Sequence, residues 1–218
     1  MIVFKWLARL LFPPRCVLCD RVLEDQTDLC KTCRLHAPEC PISAAKRNFL
    51  DSWLALWYYE DEVRKSLVLY KFCHRRSKVQ SYGKLLAMKI QEQHPEGLDL
   101  LTWVPVSAIR KLFRGYDQVE LLANVVGREL GMEPRRLLKK IRHNPPQSGI
   151  VEEAVRRANV LGVYRVTEPQ QLPGKRVLLL DDVITTGATA AEAARMLLTA
   201  GAKQVHFAAV AAARRMGK

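Results

Sequence analysis

The hydrophobic positions of this chain fall into short apolar runs and longer segments with helical periodicity. The apolar runs predict strands at 53–59, within 98–107 up to about Pro105, at 175–182 and at 204–213. The periodic segments predict helices at 62–73, 80–93, 116–130 and 188–200. Gly131 ends the third helix as a C-cap. Because the last strand, helix and strand form a βαβ unit, we expect an α/β fold with a parallel sheet.

Two further segments have a different pattern. The run "RRLLKKIRH" at 135–143 mixes basic and apolar residues, and we interpret it as an amphipathic helix with a solvated basic face. The segment 142–164 begins with two prolines and a glycine, which predicts a mobile loop leading into a short helix.

Length and composition predict a globular protein. The 218 residues suffice for one main domain and a small second module, and 49% are hydrophobic and 26% charged. The formal net charge of +13 attracts polyanions without naming one.

The apolar N-terminus is interrupted by Lys5 and Arg9 and has no cleavage site. It is shorter than the ~20 residues that span a bilayer. We therefore expect a cytoplasmic protein without a transmembrane segment, whose N-terminal stripe packs on its body, with membrane-surface contact as the alternative.

Four of the six cysteines form a C-x2-C-x10-C-x2-C array, which predicts a structural zinc site. The ligands are Cys16, Cys19, Cys30 and Cys33, in a module over residues 1–40. A disulfide pair and a redox pair are the weaker alternatives, because no export signal is present and two copies of C-x-x-C lie close together. Cys40 and Cys73 are interpreted as small buried hydrophobic residues.

An acidic pair, Asp181 and Asp182, follows a buried run and precedes a loop of small and hydroxyl residues, "VITTGAT". The carboxyl end of a strand in an α/β sheet is where ligands bind, and a helix N-terminus with a glycine before it suits a phosphate. Two carboxylates suit a diol, so the stretch predicts a ribose 5-phosphate site. The two common nucleotide motifs, the P-loop and G-x-G-x-x-G, are absent from the sequence. The plainer alternative is a helix start at Asp182 with Asp181 facing solvent.

At these residues the chain resembles a known family. "VLLLDDVITTGAT" is similar to the phosphoribosyl pyrophosphate (PRPP) signature of type I phosphoribosyltransferases, and the wider pattern resembles the ComF family. That pattern includes the cysteine pairs, "LYKF", "VPVS", "RGYDQVELLA", "QSGI" and "RRAN". The resemblance implies a type I phosphoribosyltransferase-like parallel sheet flanked by helices over 41–218, with a small N-terminal zinc-ribbon or knuckle module. Relatives often carry a second set of cysteine pairs, where this chain has Cys40 alone.

The resemblance also implies roles for individual residues. Asp181 and Asp182 would be the catalytic pair that holds the ribose hydroxyls. The PRPP site would further include Val183, Ile184, Thr185, Thr186, Gly187, Ala188 and Thr189, with Val106 and Ser107 at the pyrophosphate and Lys71 and Arg114 as cations. Residues 142–159 would form a lid, residues 41–75 a hood, and Mg2+ would bind with PRPP.

Two hypotheses about function stay open at this point. The first is an enzyme that transfers phosphoribose from PRPP to an acceptor that the sequence does not name. The second is a binding protein in natural transformation that engages single-stranded DNA, a competence helicase or other DNA-processing proteins, and uses the PRPP site as a sensor. The aromatic run at 53–59 is interpreted as core rather than as a base-stacking platform.

Overall fold

A parallel sheet of four strands forms the centre of the computed structural model, which describes residues 13–25, 27–41, 48–72, 75, 77–141 and 162–214. The strands are β1 (Ser52–Tyr58), β2 (Leu100–Trp103), β5 (Arg176–Ile184) and β6 (Gln204–Ala212). Their order in the sheet is β1-β6-β5-β2, so the two strands with the longest apolar runs lie in the middle. A separate antiparallel pair is made by β3 (Leu138–Lys140) and β4 (Tyr164–Val166).

The described part of the chain contains six helices, several of which cover the two faces of this sheet. They are α1 (Lys31–His36), α2 (Asp61–Phe72), α3 (Lys78–Gln93), α4 (Ala108–Arg114), α5 (Gln118–Leu130) and α6 (Ala188–Thr199), with a 3-10 turn at Pro169–Gln171. Side chains of β6 alternate between the two cores: Ala208 and Val210 pack with α2, α3 and α5, whereas Phe207 and Ala209 pack with α6. This arrangement confirms the predicted α/β class.

Most element boundaries lie close to the predicted ones. The third predicted helix begins at Gln118 and ends at Gly131, which adopts the left-handed conformation with φ of +67°. Strand β5 continues to Ile184, two residues past the predicted end at Asp182, so the acidic pair lies inside the last part of the strand.

The predicted basic helix at 135–143 is wrong over its described residues, 135–141, which include strand β3. Its backbone pairs in other directions: the Arg135 N–H donates to Leu101, the Leu137 carbonyl accepts from Thr167, and the Ile141 N–H donates to Val163. Leu137 and Leu138 are both buried between these partners. The apolar spacing fitted a helix, but partners distant in sequence decided the local structure.

Several predictions fall on parts of the chain beyond the described residues. They include the lid at 142–159, the N-terminal stripe and Cys73. Within the described part, none of the helices combines the length and the apolar character needed to cross a membrane. Trp57 is buried in the core, as expected for the aromatic run, and Cys40 is buried as well.

Candidate functional site

The N-terminal module brings its four cysteines together. The sulfur atoms of Cys16, Cys19, Cys30 and Cys33 all lie within 4.8 Å of one another, and the described cysteines are free thiols. The backbone N–H of Cys33 donates to the Cys30 Sγ at 3.4 Å, and this contact lowers the pKa of the Cys30 thiol to about 7. Four clustered sulfur donors fit a tetrahedral zinc ion and leave no open coordination position, so the fit is to structural zinc.

This module is attached to the main domain through the turn between its first two cysteines. The Val17 carbonyl accepts from the Lys78 Nζ at 2.7 Å and from the Ser66 hydroxyl. Lys78 is only 6% exposed and also pairs with Asp20 at 2.7 Å. Since Ser66 lies on α2 and Lys78 on α3, the cysteine turn is held by two helices of the main domain.

The acidic pair of β5 consists of two carboxyl groups in different surroundings. Asp182 is 6% exposed; its Oδ1 pairs with the Lys71 Nζ at 2.9 Å, and its Oδ2 accepts from the Gln118 Nε2 at 3.1 Å. Burial raises the pKa of Asp182, but Lys71 and Gln118 together outweigh it and hold that pKa below its usual value. Burial and the charge of Asp182 raise the pKa of Asp181 well above its usual value. Asp182 is therefore the lasting anion of the pair.

The partners of Asp182 come from an interlocked pair of segments, the end of α2 and the start of α5. Asp117 caps α5 by accepting from the N–H groups of Val119 and Glu120 at 3.0 and 3.1 Å. The Tyr70 hydroxyl donates to the Gln118 carbonyl at 2.5 Å, and the Tyr116 hydroxyl donates back to the Tyr70 carbonyl at 2.7 Å. These bonds fix the positions from which Gln118 and the neighbouring Lys71 reach the carboxylate.

The loop after β5 has the geometry of an anion site. Gly187 adopts φ of +78° as the N-cap of α6 and has no side chain of its own to cap this helix. The hydroxyl of Thr186 accepts from the Ala188 N–H at 3.3 Å, and Thr185 is exposed. The positive end of α6 thus faces the same edge of the sheet as the acidic pair.

The structure brings some of the predicted site residues together and separates others. Lys71 contacts Asp182 instead of standing free for a phosphate. The Arg114 guanidinium lies 4.7 Å from the ring centroid of Phe72, next to Lys71, and its charge also lowers the pKa of Asp182. Ser107 is buried beside β2. Ile184 does not face the site, because its side chain packs in the core under α6.

Sequence reasoning missed Gln118 and Asp117 as site residues. Both lie in the quoted motif "RGYDQVELLA", at the start of a predicted helix. An aspartate at that place is a recognisable N-cap, and the N–H of Val106 donates to its second oxygen at 3.3 Å. Nothing in the local pattern indicates that the next residue reaches Asp182, 64 positions away.

Comparison with family models finds two matches. Residues 120–218 match the phosphoribosyl transferase domain, and residues 7–46 match the double zinc ribbon domain. The first match includes the acidic pair and its loop, and the second includes the four clustered cysteines.

Several curated proteins are similar over most of the chain. The DNA utilization protein YhgH of Salmonella typhi is 28% identical over 87% of this chain and 86% of its own length. Competence protein F of Haemophilus influenzae is 24% identical over 88% of this chain and 82% of its own length. Competence protein ComFC of Bacillus subtilis is 26% identical over 67% of this chain and 58% of its own length.

Among solved structures, the glutamine PRPP amidotransferase from B. subtilis is 25% identical over 64% of this chain and 30% of that chain, with a TM-score of 0.42.

Proposed function

We propose that this chain, as a member of the ComF family, binds PRPP at the acidic pair, the loop 185–187 and the start of α6, and transfers the phosphoribosyl group to an acceptor. One observation carries this proposal. Asp182 is a buried carboxylate kept ionised by Lys71 and Gln118, and it lies just before a loop that leads through Gly187 into the N-terminus of α6.

In this proposal the ligand's two ends are recognised by different chemistry. The 5-phosphate lies at the N-terminus of α6, where Gly187 allows the backbone to approach closely. The ribose hydroxyls donate to Asp182 and Asp181. The ionised carboxylate of Asp182 only accepts, so it binds a hydroxyl without changing its own protonation, and Asp181 accepts through its carbonyl oxygen.

Transfer breaks the bond between the anomeric carbon and a pyrophosphate oxygen, and the electron pair leaves with pyrophosphate. The acceptor's lone pair then forms the new bond to that carbon. Positive charge develops on the sugar in between, and Asp182 provides a fixed negative charge near it. The charges of Lys71 and Arg114 both lower the pKa of Asp182, and we assign these two cations to the departing pyrophosphate together with Val106 and Ser107.

Magnesium fits the donor set of this proposal. Mg2+ would bind together with PRPP, because the pyrophosphate and ribose oxygens of that ligand are hard donors, which suit Mg2+ better than soft metals. When bound with PRPP, Mg2+ supplies charge neutralisation for the leaving group.

The relatives' names bear on the cellular role. Because they are called competence and DNA utilization proteins, we propose that this chain acts in DNA uptake or use. The same names and the net charge of +13 favour a second candidate: a non-catalytic protein that binds single-stranded DNA or DNA-processing partners and uses the PRPP site as a sensor. The cytoplasmic location stays a prediction.

Isothermal titration with PRPP and Mg2+ tests the site. We expect the Asp181→Asn, Asp182→Asn double variant to bind at least about 100-fold more weakly than the wild type, since two acceptors for ribose hydroxyls are lost. The control is Asp61→Asn with Glu62→Gln, an adjacent acidic pair that is exposed at the start of α2 and should not alter binding.

Equal PRPP affinity in the acidic-pair variant and the wild type, with both folded by circular dichroism, would remove the site assignment. If PRPP binds, pyrophosphate release in the presence of candidate acceptors separates the enzyme from the sensor. Binding without release across nucleobases, amines and single-stranded DNA would favour the sensor.

A further inference from the structure

The amide of Gln118 is buried at the meeting point of α5, the hood helix α2 and the sheet. The residue is 4% exposed, and its Nε2 donates to Asp182 at 3.1 Å. Its Oε1 is also buried and has no hydrogen-bond partner among the described residues.

The hydrogen bond to Asp182 determines which way round the Gln118 amide lies. The Oδ2 of an ionised carboxylate accepts and does not donate, so the nitrogen of the amide must face it. Turning the amide over would bring two oxygens together. The orphaned position of Oε1 therefore follows from the contact with Asp182.

A buried acceptor without a partner lowers the stability of a fold. An apolar side chain of similar length would fill the same place without that cost. The presence of glutamine is thus explained by what its nitrogen does for Asp182 and not by packing.

Asp182 has one fixed partner and one that can leave. Lys71 reaches Oδ1 through a flexible four-carbon stem, and its ammonium can turn toward a ligand phosphate. The Tyr70 hydroxyl donates to the main-chain carbonyl of Gln118, and Gln118 directly follows Asp117, which caps α5. The backbone of Gln118 is therefore fixed. When Lys71 moves to a phosphate, the Gln118 amide still restrains the carboxylate.

We infer that Gln118 is a positioning residue that holds the Asp182 carboxylate in the orientation that receives the ribose hydroxyls. This inference rests on the proposed PRPP site and extends it to a residue that need not touch the ligand. It affects the binding of the ribose hydroxyls and does not affect the binding of the 5-phosphate or the pyrophosphate.

The same contact affects how Asp182 responds to pH. The charged and titratable groups whose interactions with the acidic pair are resolved come from several elements: Lys71 and Tyr70 of α2, Arg114 of α4, Asp117 before α5, and Asp181 of β5. The Gln118 N–H favours the ionised form of Asp182, so its removal raises the pH at which that carboxylate takes up a proton. Ribose binding should then be lost at a higher pH on the acid side.

The test compares Gln118→Met with the wild type against three probes: PRPP with Mg2+, ribose 5-phosphate, and pyrophosphate with Mg2+. We expect about tenfold weaker binding of PRPP and of ribose 5-phosphate, unchanged binding of pyrophosphate, and an acid limb for ribose 5-phosphate shifted to higher pH. The melting temperature should change little, because the loss of the hydrogen bond to Asp182 is offset by the removal of the orphaned oxygen.

The matched control is Gln93→Met. Gln93 also has a buried Oε1 without a partner among the described residues, but it ends α3 beside His94, which contacts Ser52 at the start of β1. This substitution should change none of the three affinities. If Gln118→Met does not fold, Gln118→Asn, which keeps an amide but is too short to reach Asp182, takes its place.

The outcomes separate this inference from the proposed function. Equal losses for all three probes, or no loss for any, overturn the positioning role while wild-type PRPP binding stands. A lowered melting temperature with an unshifted acid limb would also overturn it, because it points to packing. A wild type that binds neither PRPP nor ribose 5-phosphate overturns both proposals.

Discussion

The cysteine module and the acidic pair each contact a lysine of the main domain, the buried Lys78 and the partly buried Lys71, but they are assembled in opposite ways. All four sulfur ligands come from residues 16–33, whereas Asp182 takes its partners from positions 71 and 118. The cluster is a local structure that a metal can complete, and the acidic site exists only when the sheet, α2 and α5 are in place. The comparison predicts that damage to each region stays largely confined to it.

The largest expected effect breaks the cysteine cluster. Cys30→Ser removes one thiolate and the sulfur that accepts from the Cys33 N–H. Structural zinc sites contribute on the order of 10 kcal/mol of binding free energy to the folded module, so zinc content should fall from about one ion per chain toward zero. Elemental analysis of protein purified under reducing conditions measures this.

The same variant tests whether the structural damage stays within the cysteine module. We expect faster proteolysis near residues 13–41, while the sheet keeps its cooperative thermal unfolding. Cys40→Ser is the control, since Cys40 is buried outside the cluster and its loss should leave the zinc content unchanged. A variant that retains zinc, or one that unfolds throughout, would contradict the separation of the two regions.

A smaller effect is expected from removing the cation of the acidic site. Lys71→Met leaves Asp182 buried with Gln118 as its remaining hydrogen-bond donor within the described structure. Breaking a buried ion pair costs about 3 kcal/mol, and PRPP affinity should fall about tenfold or more. Chemical denaturation and titration measure the two quantities.

Lys65→Met is the matched control for that variant. Lys65 lies on the same helix but is exposed, and its pair with Glu62 should contribute little. Zinc content should be normal in both proteins. Loss of zinc in Lys71→Met would show that the two regions are coupled through α2.

What the sequence could predict follows the same division. The cluster was predicted in full, because thiolate spacing alone specifies it. The acidic pair, the loop and the two cations were predicted from motifs, but the contact of Lys71 with Asp182 and the role of Gln118 depend on where α2 and α5 end. Likewise the described residues 135–141 form the short strand Leu138–Lys140 and its flanks instead of a helix, because Leu101, Val163 and Thr167 offered backbone partners that no local pattern reveals.

The smallest expected effect concerns Asp181 and Asp182, whose shifted pKa values change the stability of the fold in opposite directions. The pKa of Asp181 is raised in the fold by burial and by the charge of Asp182. Its folded form therefore keeps a proton that the unfolded chain loses above pH about 3.9. This costs stability as the pH rises from there to the folded pKa.

Asp181→Asn removes that cost and keeps an oxygen for the Asp182 N–H. It should stabilise the protein by about 1 kcal/mol at pH 7, with the gain disappearing below pH about 4. Asp182 has a lowered pKa, so its stabilising contribution is present above pH about 3.9 and is lost as the pH falls through the folded pKa. Asp182→Asn should therefore destabilise at pH 7. Denaturant melts of both variants between pH 3.5 and 8 measure these contributions, and equal signs at pH 7 would refute the assignment of Asp182 as the lasting anion.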